Sequence, residues 1–438
     1  MAQTDVRRIA YEALLAGEDE KIRTVDVLDK YSYLDRQDRS FLKRLIEGTI
    51  ERRITIDHVL DLYSKVPVVK MKKQVRTLLR MGTYQLLYMD SVKDHAAVDE
   101  TVRIAKKTGV SGLSGFINGV LRTVQRNRDN IPMPDVKADP VKYMSVAYSC
   151  PEWIVRKLIN EQGYENAKDV LETSVSVRPV TARVNLSRTT AEDALKKCSG
   201  TISDICDIAI VLKDIDNVAE IPAISDGSKC VQDISSMLVC MGAGIKKTDT
   251  VLDLCASPGG KTMHAADIAT DGKVISADVS ADKTERIREN ITRCGFTNVE
   301  IMTADASVYD EKLDGIADVV IADVPCSGLG VMGRKNDIKY NVTEKGIEDI
   351  VKLQRSILEN VAKYVKPGGI LMFSTCTCSR CENEDNMEFL TAQCGLTPVD
   401  MYDLIPEKLR SMSAKEGYLQ LYGKDGLTDG FFIGKLKK

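Results

Sequence analysis

Apolar residues along the first 130 positions recur at intervals of three and four, the spacing that turns one face of an α-helix towards a core. Phe41, Leu42, Leu45, Ile46 and Ile50 form one such stripe, and Val75, Leu78, Leu79, Gly82 and Leu86 form another. A third helix is expected from about Asp94 to Lys107, burying Val98, Val102 and Ala105 and showing Arg103, Lys106 and Lys107. The pattern breaks at 129–140 (D-N-I-P-M-P-D-V-K-A-D-P), a polar stretch punctuated by prolines. Pro151-Glu152-Trp153 then opens a helix, and alternation from Pro179 to Asn185 predicts a strand. Thr189-x-x-Glu192 reads as a capping box for the helix that follows. From about Ser236 short apolar runs alternate with helical stretches, the signature of a parallel sheet covered by helices.

This pattern predicts a multidomain chain: an all-α domain over 1–130, a linker over 131–145, a small α+β subdomain over 146–235, and an α/β Rossmann-like domain over 236–438. In the last, strands are expected to end at Asp253, Asp278 (Lys273–Asp278), Asp305 (Val299–Asp305), Asp323 (Ala317–Asp323) and Thr375 (Gly369–Thr375). The carboxyl ends of strands in an open parallel sheet line one crevice, so these residues should converge. The central stretch is V-L-D-L-C-A-S-P-G-G-K-T, from Val251 to Thr262. It reads as a strand, a small-residue turn and a helix opening at Gly260-Lys261, the unit in which backbone N–H groups meet a nucleotide-like cofactor.

Composition fits a soluble globular protein, with 29% charged and 43% hydrophobic residues in 438. No apolar run approaches membrane-spanning length, no secretory signal is visible, and twelve cysteines read as reduced thiols, so a cytoplasmic protein is expected; a monomer is expected as well. The net charge of −3 conceals an asymmetry: residues 1–130 hold 24 Lys and Arg against 18 Asp and Glu, a net of +6. Basic residues cluster at Lys65, Lys70, Lys72, Lys73, Arg76 and Arg80, and at Arg122, Arg126 and Arg128. They read either as an RNA-facing surface or as a solvated helical face, and charge alone favours the second.

The chemistry lies in two short runs. Asp323-Val324-Pro325-Cys326-Ser327-Gly328 leaves the fourth strand and Ser374-Thr375-Cys376 leaves the fifth. Neighbouring strands would bring two thiols and a carboxylate together beside the cofactor turn. Methylation at carbon 5 of cytosine needs that set. The carbon is a weak nucleophile until a thiolate adds at carbon 6, and a base must later remove the carbon-5 proton. Attack on the ring face requires an unpaired or flipped cytosine, and Asp323 is placed to hold the base.

L-C-A-S-P-G-G-K-T, D-V-P-C-S-G and F-S-T-C-T resemble the motifs of RNA 5-methylcytosine methyltransferases. L-L-R-M-G-T-Y-Q-L-L-Y and F-I-N-G-V-L-R resemble the NusB-type helical domain, and D-G-F-F-I-G-K-L closes the match. Together they are similar to bacterial small-subunit (16S) ribosomal RNA cytosine-5 methyltransferases with a NusB-like domain. The resemblance implies S-adenosylmethionine as cofactor and 16S rRNA as substrate. It implies a cofactor turn at Cys255, Ala256, Ser257, Pro258, Gly259, Gly260 and Lys261. Acidic cofactor contacts fall on Asp278 and Asp305, and Asp323 is shared between cofactor and substrate. The nucleophile falls on Cys376 and the thiol assisting release on Cys326, an assignment that spacing alone does not make. The competing readings are a transfer RNA methyltransferase of the same chemistry and a non-enzymatic RNA-binding factor.

Cys378 and Cys381 depart from the apolar and acidic residues expected beside Cys376, and with Cys394 they invite a zinc reading. A nucleophilic thiolate tied to a metal would not be free to add, so no metal is expected and exposed, oxidisable thiols are the alternative. His264 is expected to pack or face solvent in its helix.

Overall fold

The computed structural model describes residues 5–18, 24–213 and 222–438. The chain divides into two compact units, Met1–Arg156 and Lys157–Lys438.

The first unit is helical. Its elements are Val6–Ala16, Thr24–Lys30, Arg36–Glu51, Arg53–Tyr63, Lys73–Tyr88, Asp94–Lys107, Ser114–Asn127 and Pro140–Ala147. Both expected stripes face the core: Leu42, Leu45 and Ile46 from one helix, and Val75, Leu78, Leu79 and Leu86 from another. Phe41 and Ile50 pack at its margin. In Asp94–Lys107 the buried face is rotated slightly from expectation, since Thr101 and Ile104 are buried while Val102 is half-buried. Pro140–Ala147 packs back on Arg53–Tyr63, where the Thr55 hydroxyl donates to the Val146 carbonyl at 2.6 Å.

The basic residues near Arg76 are less available than their charge suggests. Arg76 and Arg80 both bind Glu18, and Arg80 also reaches Asp57 at 2.6 Å through a two-pronged contact. Arg122 pairs with Asp99 at 2.9 Å and Arg128 with Asp94 at 2.6 Å. Lys65, Lys70 and Lys72 remain exposed.

The second unit holds two sheets. The smaller is antiparallel in the order β2-β3-β1-β4, from Val180–Val184 (β1), Gly200–Ile202 (β2), Ala209–Leu212 (β3) and Lys229–Val231 (β4). The helix cap expected at Thr189 lies one residue later: Thr190 accepts from the Asp193 N–H ahead of Ala191–Leu195. A buried Arg183–Asp267 ion pair at 2.7 Å ties β1 to the helix Gly260–Ile268. Asp267 also accepts from Leu186 and Ser187, so the buried carboxylate is saturated, as burial of a charge requires.

The larger sheet contains Thr250–Asp253 (β5), Lys273–Asp278 (β6), Val299–Thr303 (β7), Ala317–Asp323 (β8), Val365–Thr375 (β9), Thr397–Pro398 (β10), Tyr418–Tyr422 (β11) and Gly430–Lys437 (β12). Its order is β10-β12-β9-β8-β5-β6-β7, with β11 beside β12. Strands β5 to β9 are parallel; β12 returns antiparallel to β9. The chain leaves β5 towards β6 and β7, then crosses to β8 on the other side. This reversal of order opens the crevice where α/β proteins place their ligands. Two-residue periodicity sorts the side chains. Val251, Val319, Ile321, Met372 and Ile433 share a core with Met237, Leu238 and Ala265, whereas Leu252, Val320, Ala322, Leu371, Phe373 and Phe432 pack under Ile357, Leu358 and Val361.

At the start of β12 two glycines let backbones touch. A Cβ on Gly330, in the turn after Cys326, would lie 2.0 Å from the Gly430 carbonyl oxygen. Gly330→Ala is therefore expected to lower unfolding free energy by roughly 1–3 kcal/mol through overpacking, read as a reduced midpoint in chemical denaturation.

Candidate active site

Residue parity decides what reaches the crevice. Asp253, Asp323 and Ser374 each follow by two the apolar residues Val251, Ile321 and Met372, so all three project towards the helix Gly260–Ile268. They meet there. Lys261 Nζ donates to Asp323 Oδ2 at 2.6 Å, and Ser374 Oγ donates to Asp323 Oδ1 at 2.7 Å. Burial works against the Lys261 charge, but Asp323 outweighs it and holds the ammonium above its ordinary value. Lys261 also lies over the Phe431 ring at 5.4 Å.

The turn Cys255–Gly259 connects β5 to that helix, with a cis peptide at Ser257–Pro258 and Gly259 at φ +101°. Gly259 backs onto Ile287, and its left-handed conformation favours a residue without a Cβ. Asp278 anchors the turn: its Oδ2 accepts from the Ser257 N–H at 2.9 Å, while Oδ1 accepts from Val279 and Lys283. Cys255 is half-buried, and burial raises its thiol. Ala256 is buried against Cys230 and Ile287. Asp305 does not end its strand: β7 stops at Thr303, and Asp305 is exposed in a turn accepting from the Ser307 N–H and hydroxyl. A strand cannot extend through a residue whose side chain closes that local turn.

Asp253 is fully buried. Thr262 donates to its Oδ2 at 2.7 Å, and its Oδ1 has no hydrogen-bond partner among the described residues. Desolvation pushes this carboxyl up to about 7.

The two expected thiols come together. Cys326 Sγ and Cys376 Sγ lie 3.0 Å apart, and the Cys376 N–H approaches Cys326 Sγ at 3.3 Å. The turns bearing them are cross-linked by Val324 N to Ser374 O at 3.1 Å and Gly330 N to Cys376 O at 3.0 Å. A thiol that receives its neighbour's S–H ionises more readily. Cys326 thus holds Cys376 below the ordinary thiol value, while the same bond, then burial, pushes Cys326 up.

Sequence reasoning missed Glu382. It is fully buried and accepts from Ser327 N at 2.8 Å, Ser327 Oγ at 2.5 Å, Gln354 Nε2 at 3.2 Å and Thr377 Oγ1 at 3.3 Å. Within C-E-N-E-D nothing local separates it from the neighbouring acids Glu384 and Asp385. Cys378 is not the exposed thiol expected: it is buried and faces the Leu421 carbonyl and Gln420. Cys381 lies near Ser379 and Lys157 instead. Among the described residues no group of three His, Cys, Asp or Glu side chains is arranged to hold a metal. His264 is buried, and burial holds its imidazole well below the ordinary value.

Two family models match the chain: the NusB family over residues 4–126 and 16S rRNA methyltransferase RsmB/F over 243–437. A Bacillus subtilis protein named probable ribosomal RNA small subunit methyltransferase B is 34% identical over 100% of both chains. This chain belongs to the RsmB/F methyltransferase family. A Synechocystis protein of the same name is 28% identical, with 92% of each chain covered. The solved structure of PH0851 shares the fold at a TM-score of 0.77, with 22% identity over 100% of this chain and 99% of that one. The methyltransferase uses S-adenosylmethionine, and the residues present suit it. Asp253 Oδ1 is a buried acceptor without a donor among the described residues, and the acidic set Asp253, Asp278 and Asp323 complements a ligand carrying an ammonium and a sulfonium.

Two outcomes are expected. With cofactor absent, the raised Asp253 carboxyl makes folding favourable to the protonated form, so its contribution is lost as pH rises from about 4 to about 7. Asp253→Asn should consequently lose less stability over that range than wild type, by on the order of 1–4 kcal/mol in denaturation series. Iodoacetamide at pH 7 should modify Cys376 ahead of Cys326, as resolved by peptide mass spectrometry.

Proposed function

We propose that the enzyme methylates carbon 5 of a specific cytosine in small-subunit (16S) ribosomal RNA through a covalent link between cysteine and carbon 6. One observation carries the reading: a thiol pair at 3.0 Å stands at the strand ends beside the Lys261–Asp323 pair and the cofactor turn. The names of its relatives, which refer to the ribosomal small subunit, support the substrate.

In this reading Cys376, the thiol of lowered pKa, adds to carbon 6 and loads electron density onto carbon 5. Asp323, fixed by Lys261 and Ser374, holds the N3 and amino edge of the base and balances the charge developing there. S-adenosylmethionine supplies an electrophilic methyl group. A base then takes the carbon-5 proton, the electron pair of that C–H bond re-forms the double bond between carbons 5 and 6, and the bond from carbon 6 to sulfur breaks to release Cys376 as thiolate, with Cys326 assisting at 3.0 Å. The turn 255–261 with Asp278 and Asp305 would hold the cofactor. The cytosine must enter unpaired or flipped, since the thiol approaches its ring face.

The helical unit, in which the expected linker 131–145 runs into the helix Pro140–Ala147, and the small sheet of β1 to β4 would hold RNA, leaving 236–438 to carry out the chemistry. A location in the cytoplasm fits the reading: all twelve cysteines are free, and no described helix is long and apolar enough to cross a membrane.

The test uses Cys326→Ala and Cys376→Ala with unmodified small-subunit RNA and labelled cofactor. Cys376→Ala should lower methyl transfer by roughly three orders of magnitude or more. Cys326→Ala should accumulate a protein–RNA adduct on denaturing gels. An adduct with Cys376→Ala alone would reverse the roles, and no transfer by wild type would sink the reading. Asp278→Ala should weaken cofactor binding by about 1–3 kcal/mol in calorimetry.

A further inference from the structure

A buried carboxylate outside the proposed reaction connects the two thiol-bearing turns. Glu382 receives both the N–H and the hydroxyl of Ser327, the residue after Cys326, and the hydroxyl of Thr377, the residue after Cys376. Its fourth bond comes from Gln354, whose Nε2 also reaches the Pro325 carbonyl at 2.9 Å, one residue before Cys326. Asn383 continues the arrangement. It accepts from the Thr375 hydroxyl at 2.5 Å and donates to the Thr377 carbonyl at 3.0 Å, so both neighbours of Cys376 are fixed. Asn386 binds the Gln354 side chain at 2.8 Å and the Glu382 carbonyl at 3.0 Å, which locks the 380–386 segment to the same set.

We infer that Glu382 is a positioning residue for methyl transfer, holding the turns of Cys326 and Cys376 so that the two sulfurs stay within reach of each other. The inference rests on the roles proposed for those thiols.

The chemistry of the group argues for a role beyond filling space. Two of the four contacts at Glu382, from Ser327 N–H and Gln354 Nε2, are obligatory donors, and the two hydroxyls, 2.9 Å from each other, can complete the set for an ionised carboxylate against the burial that pushes its pKa up. Each donor is neutral, so the charge is buried without a cation among its bonded partners, a costly choice where a neutral side chain of the same shape would serve packing as well. The charge has an effect nearby. After its bond to Cys376 and its burial, the negative potential of Cys376, Glu382 and Asp323 keeps the Cys326 thiol protonated, the form in which it donates to Cys376. Reaction geometry is sensitive to such support, since a displacement of about 1 Å can cost on the order of 100-fold in rate.

The experiment compares wild type, Glu382→Gln and Glu382→Ala as full-length proteins. The first measurement, without RNA or cofactor, is the rate at which dibromobimane bridges Cys326 to Cys376, read by mass spectrometry. The second is kcat and KM for methyl transfer into unmodified small-subunit RNA, alongside cofactor affinity and thermal midpoint. Both bridging rate and kcat should fall by roughly 10–100-fold in Glu382→Ala. Glu382→Gln should fall between it and wild type, while KM for RNA and cofactor affinity stay within about twofold. Unchanged bridging and kcat in both variants would overturn the inference. So would a loss of cofactor affinity parallel to the loss of kcat, since that marks general disruption. If Glu382→Ala does not fold, Glu382→Gln and Ser327→Ala decide by the same readouts. Should wild type fail to methylate RNA, the proposed function falls, whereas the bridging measurement still decides whether Glu382 sets the thiol spacing.

Discussion

The ion pair between Lys261 and Asp323 is the contact on which the site depends, because it joins two parts of the chain that arrive by different routes. Lys261 stands in the first turn of the helix after β5, and Asp323 closes β8, the neighbouring strand. The lysine is buried and the aspartate half-buried. A pair of this kind contributes little net stability after desolvation, but removing either partner leaves the other charge stranded, commonly at a cost of about 3–5 kcal/mol. Its value is therefore geometric. It aligns the Asp323 carboxylate and leaves Ser374 to take the second oxygen.

Everything else in the crevice is set by the sheet. Where the order reverses at β5, the ends of β5, β6, β8 and β9 open on one side, and two-residue periodicity selects which terminal side chains face the helix Gly260–Ile268. The turns beyond β8 and β9 then need their own fastening, since loops lack a ladder. Backbone bonds between them and the polar set around Glu382 supply it. The helical unit follows a different logic: apolar stripes build its core, and several of its arginines are taken up in pairs with acids distant in sequence.

Much of this was legible in the sequence. Strand ends at Asp253, Asp278 and Asp323 were readable because apolar runs closed by a polar residue have a period and an end, and the helical stripes were readable for the same reason. Pairing was not. Arg76 and Arg80 looked like solvent-facing charge because their partner, Glu18, lies about 60 positions away. Glu382 was not singled out, because burial of a carboxylate depends on donors from three separate segments, around Ser327, Gln354 and Thr377. Cys378 looked exposed because nothing local announces that β11 will cover it. Asp305 was drawn into its strand because apolar periodicity runs on past Thr303, whereas the Ser307 turn ends it. Local patterns specify elements; long-range polar contacts specify which of their side chains remain available.

The place of β12 has a consequence for how the enzyme comes into being. This strand, near the end of the chain, lies against β9, and its first residue touches Gly330 in the turn that follows Cys326. Synthesis runs from the amino end, so Asp253, Asp323, Cys326 and Cys376 all emerge before Gly430. A nascent chain can hold every reactive group and still lack the strand that supports them. Maturation of the centre thus waits on residues 430–437, and a truncated product of translation would carry the thiols without the frame that aligns them.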